Sequence, residues 1–351
     1  MLFCLRSAKE QVSIANTFDF TAGIIYNGFL WALGRGIWVR IIKLSPMINR
    51  NCSVQQDMAP HNNSAYLQAA IKNLDSLPAM PIIAQKLLAL KLDTDEGERQ
   101  MQLLIVQDSV ISAKIIGLAN TPLLGTSKKV TSVKDATLLL GLSRVRSVVM
   151  GIAIMSLMKK PAGRFNVQDL WLHNLGIAFG MLAITRAMPA KIRPQEDQAF
   201  LAGMLHDIGY LALAYLDSAR SDALHDRLAG EPDRPALDIE REMLGVTHDE
   251  LGAELAQSWH LPEEIVVALR YHHKLGLSID SPEDSPGQTM ARIINLTEKL
   301  LPSFGLHEYI DQSITVNEWQ ILGIGVEKTG DISSQVTEQA EQALQFINHF
   351  V

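Results

Sequence analysis

An all-α architecture is what this 351-residue chain predicts. Three observations carry that expectation. From Tyr66 onward, apolar residues return every three or four positions, the spacing that keeps one face of a helix dry. No alternating run long enough for a strand occurs there. Helix-starting Ser, Thr, Asn and Pro, and helix-ending Gly, fall where the apolar periods begin and end.

Taken in order, Leu77-Pro78-Ala79-Met80-Pro81 opens a helix, since proline is tolerated in a first turn, and Ile83, Leu87 and Leu90 share its face. MQLLIVQDSVISAKIIGLAN reads as the next helix, with Leu104, Ile111, Ile115 and Leu118 on its stripe and a stop at Asn120-Thr121-Pro122. Ser132 with Asp135 resembles a capping box. Gly141 ends that helix, and Ser143 can cap another through Val145, Val148, Val149 and Ile152. Lys159 to Gly163 reads as a linker. Asn166 can cap the helix of Trp171, His173 and Leu175. Lys191 to Asp197 is a polar connection into LAGMLHDIGYL, where Leu201, Met204, Leu205 and Ile208 face the core and Gly209 gives a break. Thr247 and Glu250 form a capping box that puts His248 in a first turn. Pro262 starts a helix whose stripe is Ile265, Ala268, Leu269 and His272. Ser278 to Gly287 is a loop, and Ile294, Glu298 and Leu301 share a side of the next helix. Val316 to Val351 makes one or two helices over the core.

Residues 1–57 read differently. Phe20 to Leu44 is apolar and aromatic, but Arg35 and Arg40 interrupt it, leaving roughly 15 residues where a spanning helix needs roughly 20. No clear signal-peptide pattern is present. Three readings stand open: a misassigned start with Met58 as first residue, a membrane-touching segment, or an atypical helix.

Composition bounds the function. With 47% hydrophobic and 20% charged residues, the chain can bury a large core or two smaller ones. A net charge of −7 argues against a general electrostatic grip on nucleic acid or an anionic membrane. Only Cys4 and Cys52 offer thiols, both before the body of the chain. Any metal site must use His, Asp and Glu, and a reducing cytoplasm is expected.

LHDIG is the stretch that calls for chemistry. His206 and Asp207 follow one another inside an apolar run, where they are costly to bury unless something binds them. Their candidate partners are His173, His248, His272, His273 and Glu298. Seven of the ten histidines lie between 173 and 273. A neutral imidazole is the commonest metal ligand, and a carboxylate can bridge two ions.

The order His, His-Asp, His, His-His, acid resembles the HD superfamily of metal-dependent phosphohydrolases. More narrowly, LPAMPIIAQKLLAL, LIVQDSVISAKIIGLAN and VKDATLLLGLSRVRSVV, then WLHNLGIA, FLAGMLHDIGYLAL, EREMLGVTHDELGAELAQSWHLPEEIVVALRYHH and ARIINLTEKL, are similar to the HDOD family, the HD-related output domains, over roughly Leu74 to Leu301. The resemblance implies an N-terminal helical subdomain (66–158) packed on an HD-type helical core (164–302), with C-terminal helices (303–351) over it. It implies a bacterial signalling module contacting a protein partner or small ligand, most members having no established activity. It places the first ligand at His173, the pair at His206 and Asp207, and the last acid at Glu298. A second ion would use His248 and one or both of His272 and His273, with Asp207 bridging and standing as candidate catalytic residue. One or two divalent ions (Fe, Mn or Mg) suit nitrogen and oxygen donors.

Two departures matter. Active members carry HDIGK, and here Tyr210 replaces the lysine. Their last ligand is usually Asp, and Glu298 is one methylene longer. No GYP segment follows His273, so cyclic-dinucleotide hydrolysis is not expected. A metal-dependent phosphohydrolase for a nucleotide or phosphomonoester stands as the alternative function. No segment reads as a receiver, kinase or cyclase, so input is expected from a partner or ligand. His61, His225, His260, His307 and His349 are expected to be exposed or capping, and Trp171 and Trp259 to be core anchors. For Arg144 and Arg146 a solvated helix face is favoured over the other open reading, contact with a phosphate or partner. Gly323 to Gly330 lacks the ending of a phosphate loop.

Overall fold

The computed structural model describes residues 23–26, 29–32, 38–40, 79–121, 129–156, 163, 165–275, 285–301 and 313–347. The chain divides into two compact units, 1–58 and 59–351. The expectations for Met58, the 159–162 linker, most of the 278–287 loop, and His61, His307 and His349 lie outside the described residues.

In the first unit, the described residues are strands. β1 (Gly23–Tyr26), β2 (Phe29–Ala32) and β3 (Trp38–Arg40) form an antiparallel sheet in that order, with Tyr26 opposite Phe29 and Trp31 opposite Trp38. The helical reading of this stretch is thereby corrected. Its Ile, Tyr, Phe, Trp and Val residues favour extended backbone, and Asn27-Gly28 between β1 and β2 in sequence is a hairpin signal.

The second unit is all-helical among its described residues. α1 (Ile82–Ala89), α2 (Asp95–Val106), α3 (Ser109–Ala119), α4 (Val133–Leu140) and α5 (Leu142–Ser156) come first. The single helix expected across α2 and α3 is two helices bent by 109°. Asp108 makes the break: its side chain accepts the Val110 and Ile111 N–H groups and caps a new helix. Ser143 lies within α5 rather than capping it, because Gly141 at φ 87° turns the chain straight from α4 into α5.

α6 (Val167–Ala187) is the central helix, with all but its ends buried. Against it pack α7 (Glu196–Leu205), α13 (Pro286–Leu300) and α15 (Thr329–Ile347). α8 (Ile208–Leu216), α9 (Ser218–Gly230), α10 (Ala236–Leu244), α11 (His248–Ser258) and α12 (Glu263–Tyr271) lie between α7 and α13 in sequence, and α14 (Val316–Ile321) precedes α15. Contacts α8–α11, α11–α12, α12–α13 and α13–α6 close a ring with α6–α7. Arg144 and Arg146 are half-buried in ion pairs with Glu196 and Asp197 that hold α5 on α7, so they are not on the solvated face expected of them. Trp171 and Trp259 are buried as expected. Among the described residues, one unbent segment, 196–216, is long and apolar enough to cross a membrane. It is the largely buried α7–α8 pair, and two further pairs, α2–α3 and α4–α5, qualify only across sharp bends.

Candidate metal centre

The break in LHDIG falls at the pair itself. α7 ends at Leu205, His206 and Asp207 form a turn, and α8 begins at Ile208. Gly209 is inside α8 rather than at a break. A Cβ there would overlap the carbonyl oxygen of His248 and sit 2.9 Å from its Cα. The glycine therefore lets the first turn of α8 touch the first turn of α11.

That approach, with the ring of helices, gathers all seven predicted residues. His173 comes from α6, the pair from the α7–α8 joint, His248 from the start of α11, His272 and His273 from the end of α12, and Glu298 from α13. Six are buried, and His273 is nearly so. Asp207 lies between two groups. Its Oδ2 is 3.4 Å from His173 Nε2 and 3.3 Å from His206 Nε2. Its Oδ1 is 3.4 Å from His248 Nε2 and 3.8 Å from His272 Nε2. Glu298 Oε1 is 3.3 Å from His206 Nε2, and its Oε2 is 3.9 Å from His273 Nδ1. Within each of two sets, His173, His206 and Glu298, and Asp207, His248, His272 and His273, the donor atoms lie within 4.8 Å of one another.

Several rings are oriented from behind. Nδ1 of His206 lies 2.9 Å from the Gly203 carbonyl oxygen, and that of His272 lies 2.7 Å from the Leu269 carbonyl oxygen. In the neutral ring, an N–H there leaves Nε2 with a lone pair facing inward. Burial pushes His173 down to about 4. It lowers His272 too, aided by His273. For His206 burial works against the charge, but the Asp207 and Glu298 carboxylates outweigh it and push the ring up to about 10. Burial would raise both acids. Instead His206 holds Asp207 well below the usual carboxylate range, and His273, with His206 and His272, holds Glu298 at about 2.

Both oxygens of Asp207 and both of Glu298 are buried and face imidazole nitrogens 3.3–3.9 Å away rather than close, well-aligned donors. Buried carboxylate oxygens in that state are costly. Two carboxylates among imidazoles make a donor set that fits a divalent cation.

The chain matches the HDOD domain over residues 77–275. It belongs to the HDOD family. The matched span carries six of the seven clustered residues and stops short of Glu298, which α13 adds. Three solved structures share this HDOD fold. A candidate signal transduction protein of Marinobacter aquaeolei VT8 aligns with a TM-score of 0.66 at 23% identity, over 84% of this chain and 68% of its own. An HDOD domain protein of unknown function from Geobacter sulfurreducens gives 0.65 at 22%, over 81% and 98%. A candidate phosphohydrolase of Shewanella amazonensis SB2B gives 0.59 at 22%, over 81% and 98%. An uncharacterized protein of Treponema pallidum (strain Nichols) is 24% identical over 275 residues, 76% of this chain. The chain spans about half the length of that curated relative, 50%.

Sequence reasoning missed the supporting shell of this HDOD site. Glu240 is fully buried against His248. Asp249, also buried, is hydrogen-bonded by Thr247 and lies 3.0 Å from Lys274 Nζ. Lys274 also reaches Glu250 at 3.0 Å and so ties the His272–His273 turn to α11. The signal for Glu240 was present: Ala236, Glu240 and Leu244, four apart, share the buried face of α10. His225, expected to be exposed or capping, is half-buried with its ring against Phe165 and Tyr210. His260 is exposed.

Proposed function

We propose that this chain is a regulatory signalling module whose buried cluster holds one or two divalent ions and which carries out little or no hydrolysis. One observation carries the reading: the polar groups beside the cluster are turned to holding it rather than to meeting a substrate. Tyr210, where active HD enzymes have lysine, gives its hydroxyl to Glu240 at 2.6 Å. Lys274, next to His273, lies between Asp249 and Glu250. His173, His206 and Glu298 would hold an ion on one side, and His248, His272 and His273 on the other, with Asp207 facing both. Such ions polarise a phosphoryl oxygen and lower the pKa of bound water. In this reading the input is a signalling protein or a small ligand, not nucleic acid, and the module works in the cytoplasm with its body outside the membrane.

A second reading, a phosphohydrolase for a nucleotide or phosphomonoester, draws on the completeness of the donor set and on the candidate phosphohydrolase among its structural neighbours.

Metal analysis of the purified chain, with phosphatase and nucleotidase assays in manganese and ferrous iron, separates them. The expected result is at least one ion per chain, a lower melting temperature in chelator, and no turnover. Turnover abolished by Asp207→Ala would transfer the protein to the second reading. Absence of any ion under both metals would remove both.

A further inference from the structure

Glu240 stands outside the seven-residue cluster, yet it controls one of its members. Its Oε2 accepts the backbone N–H of His248 at 2.8 Å, and its two oxygens lie 2.8 and 3.0 Å from His248 Nδ1. Oε1 also accepts the Tyr210 hydroxyl at 2.6 Å. A carboxylate oxygen facing Nδ1 is an acceptor, so in the neutral ring Nδ1 carries the proton and Nε2 keeps its lone pair. That Nε2 faces Asp207 Oδ1. The Tyr210 ring stacks on the imidazole, with centroids 4.4 Å apart and planes 19° from parallel.

The need for such a device follows from the position of His248. His206 and His272 end their helices, where the carbonyl three residues back belongs to the helix and can take Nδ1–H. His248 opens its helix, and three residues back lies Gly245, in the turn outside it. With no helical carbonyl behind it, the ring needs an acceptor from another element, and α10 supplies a carboxylate. Tyr210 supplies the donor that fixes that carboxylate, and it does so from the position where active HD enzymes carry lysine.

We infer that Glu240 is the positioning residue for His248, with Tyr210 as its lock, and that together they set the tautomer and angle at which His248 meets a divalent cation. The inference rests on the metal-holding reading above. Disturbing such an outer partner weakens metal binding by about 10–100-fold. Removing the single hydrogen bond that Tyr210 gives it should cost less, about 3–10-fold.

Co(II) titration of the full chain, followed by visible absorbance, tests this on wild type, Glu240→Gln and Tyr210→Phe, with metal-free thermal melts by circular dichroism as the folding control. Glutamine puts an N–H group where a second acceptor is needed. At least one Co(II) equivalent is expected to weaken about 10–100-fold, with a changed d–d band. Tyr210→Phe keeps the stacked ring and the carboxylate, and about 3–10-fold is expected. Wild-type affinity and spectrum in folded Glu240→Gln would overturn the inference alone. If that variant does not fold, Tyr210→Phe decides, and unchanged Co(II) binding there overturns it. No Co(II) on wild type would remove the metal-holding reading and this inference with it.

Discussion

Asp207→Asn is expected to lower the bound metal to half or less of the wild-type content and to weaken what remains by more than ~100-fold, about 2.7 kcal/mol. The reason lies in the division of labour between its two oxygens. Oδ2 faces His173 and His206, and Oδ1 faces His248 and His272, all within 3.3–3.8 Å. Asparagine is nearly the same shape, so packing at this fully buried position is kept. One of the two oxygens, however, becomes an NH2 group whose hydrogens point at nitrogens that should face a cation. The remaining oxygen can serve one group of imidazoles only. Metal analysis gives the first readout, and the metal-dependent gain in melting temperature gives the second. At a free-metal concentration 100 times the wild-type Kd that gain corresponds to about 2.7 kcal/mol, on the order of 5 °C for a chain of this size. It should nearly vanish in the variant. A full metal complement with an unchanged gain would remove Asp207 from the centre of the site.

The seven residues of the cluster were legible chiefly through the resemblance, which supplied their order as His, His-Asp, His, His-His and acid. Periodicity by itself reached fewer of them: His206 and Asp207 fall in an apolar run, His272 is in step with Ile265, Ala268 and Leu269, and Glu298 with Ile294 and Leu301. The break between α7 and α8 was misplaced by two residues because glycine is read as punctuation. Here the turn forms at His206 and Asp207, and the glycine serves a contact 39 positions away in sequence, with His248. No local pattern reports a contact of that range. The bend between α2 and α3 was missed for the opposite reason. Leu104 to Leu118 keeps an apolar period through Asp108, and only the aspartate's competition for the N–H groups ahead of it reveals the joint. The strands at 23–40 were hidden by their aromatic content, which reads equally well as apolar helix until the Asn27-Gly28 pair is weighed.

Gly209→Ala is expected to damage the site far more than the addition of one methyl group suggests. The added Cβ would overlap the His248 carbonyl oxygen, and the next turn of α11 is also close, since a Cβ on Gly252 would meet Gly209 N at 3.2 Å. The obstacle is main chain in the first turn of a buried helix, so it cannot rotate aside as a side chain would. Relief requires α8 and α11 to part. Overpacking of this kind costs about 1–3 kcal/mol and sometimes more. The cost to the site should exceed the cost to the fold, because α8 carries the turn of Asp207 and α11 begins with His248. A constellation of this type tolerates a displacement of only about 0.5 Å, so the folded fraction of the variant should hold metal poorly. Gly230→Ala is the matched control. Gly230 is also helical, nothing lies within 4 Å of a Cβ there, and its φ is not positive. Alanine at 230 should be neutral or stabilising by up to ~1 kcal/mol, with metal content unchanged. Thermal melts with and without chelator distinguish the two effects. If Gly209→Ala melts with wild-type metal dependence, the close seam between α8 and α11 does not set the Asp207–His248 distance. Loss of metal dependence at 209 alone, with Gly230→Ala unaffected, would trace the geometry of the cluster to a backbone contact that only glycine permits.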